Sequence, residues 1–149
     1  MSPDFQKTFM EVAMAMSKKS KDGSTKVGAV LVKPNMRVAS VGFNGFPKRI
    51  FDNWKYLNDP AYRKDKLLRM VHAEANALRT NDSGTTEGYH LVVTRHPCDK
   101  CALEIASYDV SHVWYHRDVD YETRWAESVA DAKTIFDDAG IIVTMVPDE

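Results

Sequence analysis

His72-Ala73-Glu74 and, further along the chain, Pro97-Cys98-Asp99-Lys100-Cys101 are the two stretches that decide the fold and the chemistry of this sequence. One imidazole and two thiolates supply three protein ligands of the nitrogen and sulfur type that zinc prefers. A structural zinc site is closed by a fourth protein ligand, so three ligands leave one position open for water. Zinc lowers the pKa of such a water to about 7, and the nearby Glu74 carboxylate can carry its protons.

Each half of this pattern has another explanation when it is taken alone. A single histidine is usually a surface or core residue, and an isolated Cys-x-x-Cys is typical of a thioredoxin-like redox pair. A redox pair does not require His-x-Glu upstream, so the combination favours a hydrolytic zinc site. Pro97 predicts the first turn of a helix that places Cys98 and Cys101 on one face. The N–H groups at a helix start also favour thiolates.

The composition sets the class of protein. At 149 residues with 44% hydrophobic residues, the chain is predicted to be a single domain over residues 1–149, with a core that needs no metal to fold. A net charge of −1 gives no indication of the basic surface that binds long nucleic acid and favours a nucleotide-sized substrate. Both cysteines lie in the motif, so we expect a reducing compartment. With no signal-peptide or membrane-span pattern, we expect a soluble, cytoplasmic protein without a membrane partner.

Hydrophobic periodicity predicts helices that alternate with strands. Ser2 and Pro3 are typical of a helix start, and the apolar residues that follow repeat at helical spacing. Residues 26–33 and 37–43 are predicted to form an antiparallel hairpin around Pro34-Asn35-Met36. An irregular, charged insertion is predicted over residues 46–69.

The second half of the chain predicts three crossovers from strand to helix to strand. The predicted elements are a helix over 72–79, a strand over 89–95, a helix over 98–108, a strand over 112–116, an amphipathic helix ending at Gly140 and a strand over 141–146. Strands separated by helices imply right-handed parallel crossovers, so we expect an α/β layer fold with a mixed five-stranded sheet. Both metal-bearing helices then begin at the edge where ligands bind in open α/β sheets.

The order of these elements, with the segments His72-Ala73-Glu74-Ala75-Asn76-Ala77-Leu78 and Pro97-Cys98-Asp99-Lys100-Cys101, resembles the cytidine deaminase superfamily. Val27-Gly28-Ala29-Val30-Leu31-Val32 and Gly42-Phe43-Asn44-Gly45-Phe46-Pro47 are similar to motifs of deoxycytidylate (dCMP) deaminases. The resemblance covers residues 9–146. It implies a three-layer cytidine deaminase-like fold with helices on both faces of the sheet, in which residues 46–69 are a family insertion.

The same resemblance implies the reaction and its central residues. The expected activity is zinc-dependent hydrolytic deamination of dCMP to dUMP and ammonia, which supplies a precursor of dTTP. Residue by residue, the family pattern assigns zinc to His72, Cys98 and Cys101 and the catalytic proton shuttle to Glu74. Glu74 would pass a proton to N3 of the cytosine and then to the departing amine.

Three residues are expected to contact the nucleoside part of the substrate. The backbone N–H of Ala73 would bond the pyrimidine O2, and the side chain of Asn44 would bind the sugar. An asparagine between glycines is otherwise an ordinary turn former. Tyr115 either stacks on the base or belongs to the core.

The phosphate contacts are expected near the end of the first helix. Lys19 stands where family members often carry arginine, and it keeps the charge without the bidentate fork. Ser24, Thr25 and Lys26 are alternative donors, and Arg95 and Arg117 lie near predicted strand ends at the expected active edge.

The resemblance further implies regulation. Many dCMP deaminases are hexamers that are activated by dCTP and inhibited by dTTP with Mg²⁺. We therefore expect a homohexamer with a regulatory nucleotide site at Gly42, Phe43, Gly45 and Asn76, where Mg²⁺ accompanies the triphosphate. Phe43 replaces a family tyrosine, which removes a hydroxyl but keeps a stacking surface.

Three other functions share parts of this pattern. Cytidine or deoxycytidine deamination uses the same base chemistry and differs only in phosphate recognition. A tRNA adenosine deaminase shares the zinc core but is expected to present a basic surface. A noncatalytic nucleotide-sensing module would keep the zinc without needing Glu74.

Overall fold

A computed structural model, which describes residues 1–148, contains one five-stranded sheet. The strands are β1 (Gly28–Val32), β2 (Val38–Phe43), β3 (His90–Val93), β4 (His112–His116) and β5 (Ile142–Val146). Their order across the sheet is β2-β1-β3-β4-β5. β1 is antiparallel to both of its neighbours, and β3, β4 and β5 are parallel. The predicted mixed sheet with parallel crossovers is confirmed.

The helices cover both faces of this sheet. They are α1 (Pro3–Ser17), α2 (Trp54–Asn58), α3 (Arg63–Arg69), α4 (Ala73–Arg79), α5 (Asp99–Ala106), α6 (Val119–Arg124) and α7 (Ala126–Ala139). α1 packs on one face through a cluster that contains Phe9, Val30 and Trp114, whereas α4, α5 and α7 share a larger core on the other face. The three-layer prediction is confirmed. Within residues 1–148, no helix combines the length and apolarity needed to cross a membrane.

Local sequence explains where the main elements begin and end. The Ser2 hydroxyl accepts a hydrogen bond from the Phe5 N–H at 3.3 Å, and a proline follows it, so α1 begins as predicted. Gly140 ends α7 in the left-handed conformation, with φ of 70°. A Cβ at Gly28 would lie 1.8 Å from the Ala13 carbonyl oxygen, so glycine is what allows α1 to lie directly on β1.

The prediction that residues 46–69 are irregular was wrong from Trp54 onward. This segment forms α2, a 3₁₀ turn over Pro60–Tyr62 and α3. Asn53 and Asp59 accept backbone hydrogen bonds that cap the first two of these elements. Helices this short span too few turns to show a helical period in the sequence, which is why none was predicted. α6 was not predicted for the same reason.

The boundaries at the metal motif also differ from the prediction. Cys98 is the N-cap of α5, so Pro97 precedes the helix instead of lying in its first turn. The pyrrolidine ring still restricts the backbone just before the cap.

Candidate metal centre and active site

The three predicted metal ligands meet because two helices begin at the same edge of the sheet. His72 is the N-cap of α4, and Cys98 is the N-cap of α5. Cys101 lies in the first turn of α5, one turn beyond Cys98. The segment before α4 is held by an isolated bridge in which Gly45 and Val71 exchange backbone hydrogen bonds of 3.0 and 2.8 Å.

The geometry of this centre fits a metal ion with nitrogen and sulfur ligands. The His72 Nδ1 atom lies 2.9 Å from the Cys101 sulfur and 3.7 Å from the Cys98 sulfur. The three ligand atoms all lie within 4.8 Å of one another. Among residues 1–148, this is the one group of three or more such side chains close enough to share an ion. An imidazole and two thiolates are the donor set of a zinc site that keeps an open position.

The protonation of the three ligands is coupled. The hydrogen bond from Cys101, together with His72, lowers the pKa of Cys98 to about 4, although burial opposes this shift. The same hydrogen bond, with burial, raises the pKa of Cys101 well above its usual range. The hydrogen bond with Cys98 also raises the pKa of His72. These side chains share protons that a metal ion would displace, so metal binding releases protons.

Glu74 lies beside the centre and is 4% exposed. Burial raises the pKa of its carboxyl group, and the positive charge of His72 opposes that shift. Glu74 lines the same cleft as His72 and Cys98, and its charge contributes to the raised pKa of Cys101. A buried carboxyl with a raised pKa at a metal centre has the properties of a general acid and base.

A cleft of roughly 1080 Å³ opens onto the centre, large enough for a nucleotide. Ala73 and Asn44, the predicted contacts of the base and the sugar, both line it. The Asn44 side chain accepts a hydrogen bond from the Val27 N–H at 2.8 Å and donates one to the Thr25 carbonyl at 2.9 Å. Asn44 therefore fixes the wall of the cleft, and its role in sugar binding stays a prediction.

One wall of the cleft contains a buried ion pair that sequence reasoning missed. The Lys66 ammonium donates to the Asp22 carboxylate at 3.0 Å and to the Ser24 hydroxyl at 2.8 Å. Burial would raise the pKa of Asp22, but the hydrogen bonds from Ser24, Lys66 and Thr25 outweigh it and lower that pKa. Lys66 comes from α3, in a polar stretch where nothing distinguishes it from a surface lysine. Of the predicted phosphate contacts, Ser24, Thr25 and Lys26 line this wall.

Another part of the cleft lining brings an arginine and a tyrosine together. The Arg95 guanidinium carbon lies 3.9 Å from the centre of the Tyr121 ring, and both residues line the cleft. Tyr121 is buried on α6, and burial raises its pKa far above the usual range. The prediction had no helix at this position, so it could not place Tyr121 in the site.

Three predicted substrate contacts, Lys19, Tyr115 and Arg117, are not brought into the cleft. Lys19 is exposed in the turn after α1 and does not line the cleft. Tyr115 lies on the face of β4 that α5 and α7 cover. There its ring packs edge to face with the His96 ring, and the two ring centroids are 4.7 Å apart. Because side chains alternate along a strand, Tyr115 joins the core beside Val113.

The predicted regulatory residues surround the junction of β2 with α4. The Asn76 side chain donates to the Phe43 carbonyl at 2.8 Å. A Cβ at Gly42 would lie 2.5 Å from both the Ala73 carbonyl oxygen and the Ala77 nitrogen. α4 therefore covers Gly42, which leaves no room for a nucleotide there. The prediction that Gly42 belongs to the regulatory nucleotide site is corrected.

Comparison with known proteins shows the family of this chain. The profile described as cytidine and deoxycytidylate deaminase zinc-binding region matches residues 3–117. A protein of Aliivibrio fischeri named "Uncharacterized deaminase in luxG 3′ region" is 37% identical over 142 residues, which are 95% of this chain and 92% of that protein. A probable deoxycytidylate deaminase of Drosophila melanogaster is 35% identical over 119 residues, which are 74% of this chain and 58% of that protein.

Solved structures agree with the family profile. The dCMP deaminase from the cyanophage S-TIM5 in its apo form has a TM-score of 0.74 and 27% identity, covering 97% of this chain and 99% of that chain. The same enzyme in complex with dCMP and dUMP has a TM-score of 0.73 and 25% identity, covering 97% and 98%.

Proposed function

The chain belongs to the cytidine and deoxycytidylate deaminase family, and from that premise we propose that it catalyses the zinc-dependent hydrolytic deamination of dCMP to dUMP and ammonia. The observation that carries this proposal is the convergence of the His72, Cys98 and Cys101 ligand atoms within 4.8 Å beside the buried Glu74. A structural zinc site would not require this carboxyl group. The dCMP and dUMP complex of the cyanophage enzyme supports the choice of nucleotide.

The residues of the cleft would act as follows. Zinc, when held by His72, Cys98 and Cys101, supplies a water activated near neutral pH. Glu74 would accept one proton from the attacking water and deliver it to N3 of the cytosine. It would then take the second proton from the hydroxyl added at C4 and pass it to the departing amine. The N–H of Ala73 is in the first turn of α4, where backbone donors lack helical partners, and it would bond the pyrimidine O2.

The 5′-phosphate would be recognised by the wall that contains Ser24, Thr25 and Lys26. Lys66 supports this assignment because it pairs with Asp22 and so offsets the negative charge closest to that wall. The Lys26 ammonium donates to the Ser20 carbonyl, so its side chain bends over the same loop. Lys19 lies outside the cleft and is no longer part of the proposal.

Ammonia release from dCMP, deoxycytidine, CMP and dCTP, measured side by side, tests the proposed substrate. We expect dCMP to have the highest kcat/KM. Equal efficiency on dCMP and deoxycytidine would favour the nucleoside deaminase instead, since the base chemistry is the same and phosphate recognition would be absent.

We also propose that dCTP activates the enzyme and that dTTP with Mg²⁺ inhibits it, which would match a role in supplying dUMP for dTTP synthesis. The contact between Asn76 and the Phe43 carbonyl supports this, because it joins the turn after β2 to the helix that carries Glu74. Phe43, Gly45 and Asn76 remain the proposed contacts. Calorimetric titration with dTTP and Mg²⁺ tests the proposal, and dTTP should bind more weakly when dCMP is present. No heat of binding at millimolar dTTP would refute it.

A homohexamer in the cytoplasm is the proposed setting. The insertion exposes large apolar side chains that a monomer would leave in water. They are Ile50, Phe51, Trp54, Leu67 and Leu68. Reduced cysteines are needed at the metal centre, which supports a reducing compartment. Light scattering tests the assembly: we expect six chains per particle, and a monomer at micromolar concentration would contradict the proposal.

A further inference from the structure

His96 comes directly before Pro97 and Cys98, and its side chain is almost completely buried, at 1% exposure. The imidazole meets Tyr115 at a ring-centroid distance of 4.7 Å and Phe136 at 6.3 Å, both edge to face. Aromatic packing of this kind suits phenylalanine as well as histidine. The surroundings alone therefore do not explain why a histidine is present.

The hydrogen bond of the imidazole offers an explanation. The Nδ1 atom lies 2.8 Å from the Pro97 carbonyl oxygen. A carbonyl only accepts, so Nδ1 carries the proton and Nε2 carries a lone pair. Within residues 1–148, the buried Nε2 atom has no hydrogen-bond partner. An unpaired buried acceptor is unfavourable, and phenylalanine would avoid it. The bond to Pro97 is thus the one interaction that requires a histidine.

This bond acts on the peptide that joins Pro97 to Cys98. Proline fixes its own φ, and a bond to its carbonyl oxygen restricts the remaining rotation of that peptide. Cys98 then begins α5, where its carbonyl accepts from the Ala102 N–H at 2.8 Å. Its sulfur accepts from the Cys101 N–H at 3.4 Å.

The peptide on the other side of Cys98 is held as well. The Asp99 N–H donates to the Ser128 hydroxyl of α7 at 3.1 Å, and that hydroxyl donates to the Asp99 carboxylate at 3.0 Å. We propose that His96 is a positioning residue for the Cys98 sulfur, which it orients toward the metal through the Pro97 carbonyl. Groups outside the ligand set that orient a ligand typically change metal affinity about 10–100-fold when they are removed.

Two variants separate positioning from packing. H96F keeps the aromatic shape and removes the donor. The thermal stability of H96F should stay close to that of the parent. The variant removes the unpaired Nε2 acceptor but leaves the Pro97 oxygen without a donor, and these two effects on stability offset each other. H96N keeps an N–H donor close to the Nδ1 position and loses ring volume, so its melting temperature should fall. H112F is the matched control, because His112 stacks on Trp114 on the other face of the sheet.

Zinc affinity, measured by chelator competition, is the readout. We expect H96F to bind zinc about 10–100-fold more weakly than the parent, and H96N and H112F to bind it with nearly the parent affinity. Parent-like affinity in H96F would overturn the inference, and so would an H96N loss equal to that of H96F. If H96N does not fold, the zinc affinity of H96F alone tests the inference.

This inference rests on the zinc site of the proposed function, but the two fail differently. A parent protein that binds no zinc would overturn the proposed function. If the parent protein binds zinc tightly and H96F binds it with the same affinity, only the proposed role of His96 is overturned.

Discussion

The two sides of the cleft are built in different ways. The metal wall consists of His72, Glu74, Cys98 and Cys101 at the starts of α4 and α5, two helices that share the main core with the sheet. The other wall, which we propose binds the substrate phosphate and call the substrate wall, consists of the loop over residues 20–26 and of α3. The buried Lys66–Asp22 pair joins these two segments. One wall is therefore held by the core of the fold, whereas the other is held mainly by polar bonds between surface segments.

Under the proposed function, this difference separates the residues of the reaction from those that select the substrate. Groups that perform the chemistry need fixed positions, and helices packed on a sheet provide them. A wall made of a loop and short helices can vary without disturbing the metal ligands. Changes in the metal wall should therefore abolish turnover, and changes in the substrate wall should alter selectivity and local stability.

The largest effect should come from removing a metal ligand. C98A or H72A leaves two protein ligands, so we expect both zinc content and dCMP turnover to fall to background. Elemental analysis alongside an ammonia assay checks this. A zinc-free variant with substantial activity would show that the metal wall does not carry the chemistry.

The next effect should come from E74Q. The amide keeps the size of the side chain but cannot shuttle protons, so kcat should fall by roughly 10²–10⁴-fold. Zinc content and melting temperature should remain close to those of the parent. Near-normal turnover in E74Q would remove Glu74 from the mechanism.

K66M tests the substrate wall. It leaves the buried Asp22 without its cation, which should cost about 3 kcal/mol in the free energy of unfolding. KM for dCMP should rise, while kcat/KM for deoxycytidine changes little. The double variant D22N/K66M should recover part of the stability, since no unpaired charge remains. Equal losses on both substrates would mean that the two walls are not independent.

The smallest effect in this series should come from a pair of glycine variants, of which only one has its glycine packed against α4. G42A places a methyl group 2.5 Å from backbone atoms of α4, so we expect a loss of roughly 1–3 kcal/mol in unfolding free energy. G45A is the matched control, because the nearest atom to its Cβ would be 3.9 Å away. Denaturant unfolding of both variants measures the difference, and equal stabilities would contradict the close packing of β2 on α4.

The metal wall could be predicted from sequence because its residues lie in two short motifs. Residue type and spacing are enough to indicate the chemistry of His72, Glu74, Cys98 and Cys101. The five strands were predictable for a similar reason, since apolar runs and turn residues mark them locally.

The substrate wall could not be predicted because its contacts join distant, polar segments. Lys66 bonds Asp22 across 44 positions, and no local pattern indicates that pairing. Tyr121 lies on α6, a helix of six residues with no visible period. The expectations for Lys19 and Tyr115 failed because side-chain direction depends on the turn after α1 and on strand alternation.

Zinc titration of the metal-free protein tests the central claim most directly. Conversion of dCMP to dUMP should rise in proportion to added zinc and reach a plateau at about one ion per chain, as a three-ligand site with one open position requires. E74Q should bind the same amount of zinc and stay nearly inactive. Turnover that does not depend on zinc, or zinc binding without any conversion of dCMP by the parent protein, would contradict the account.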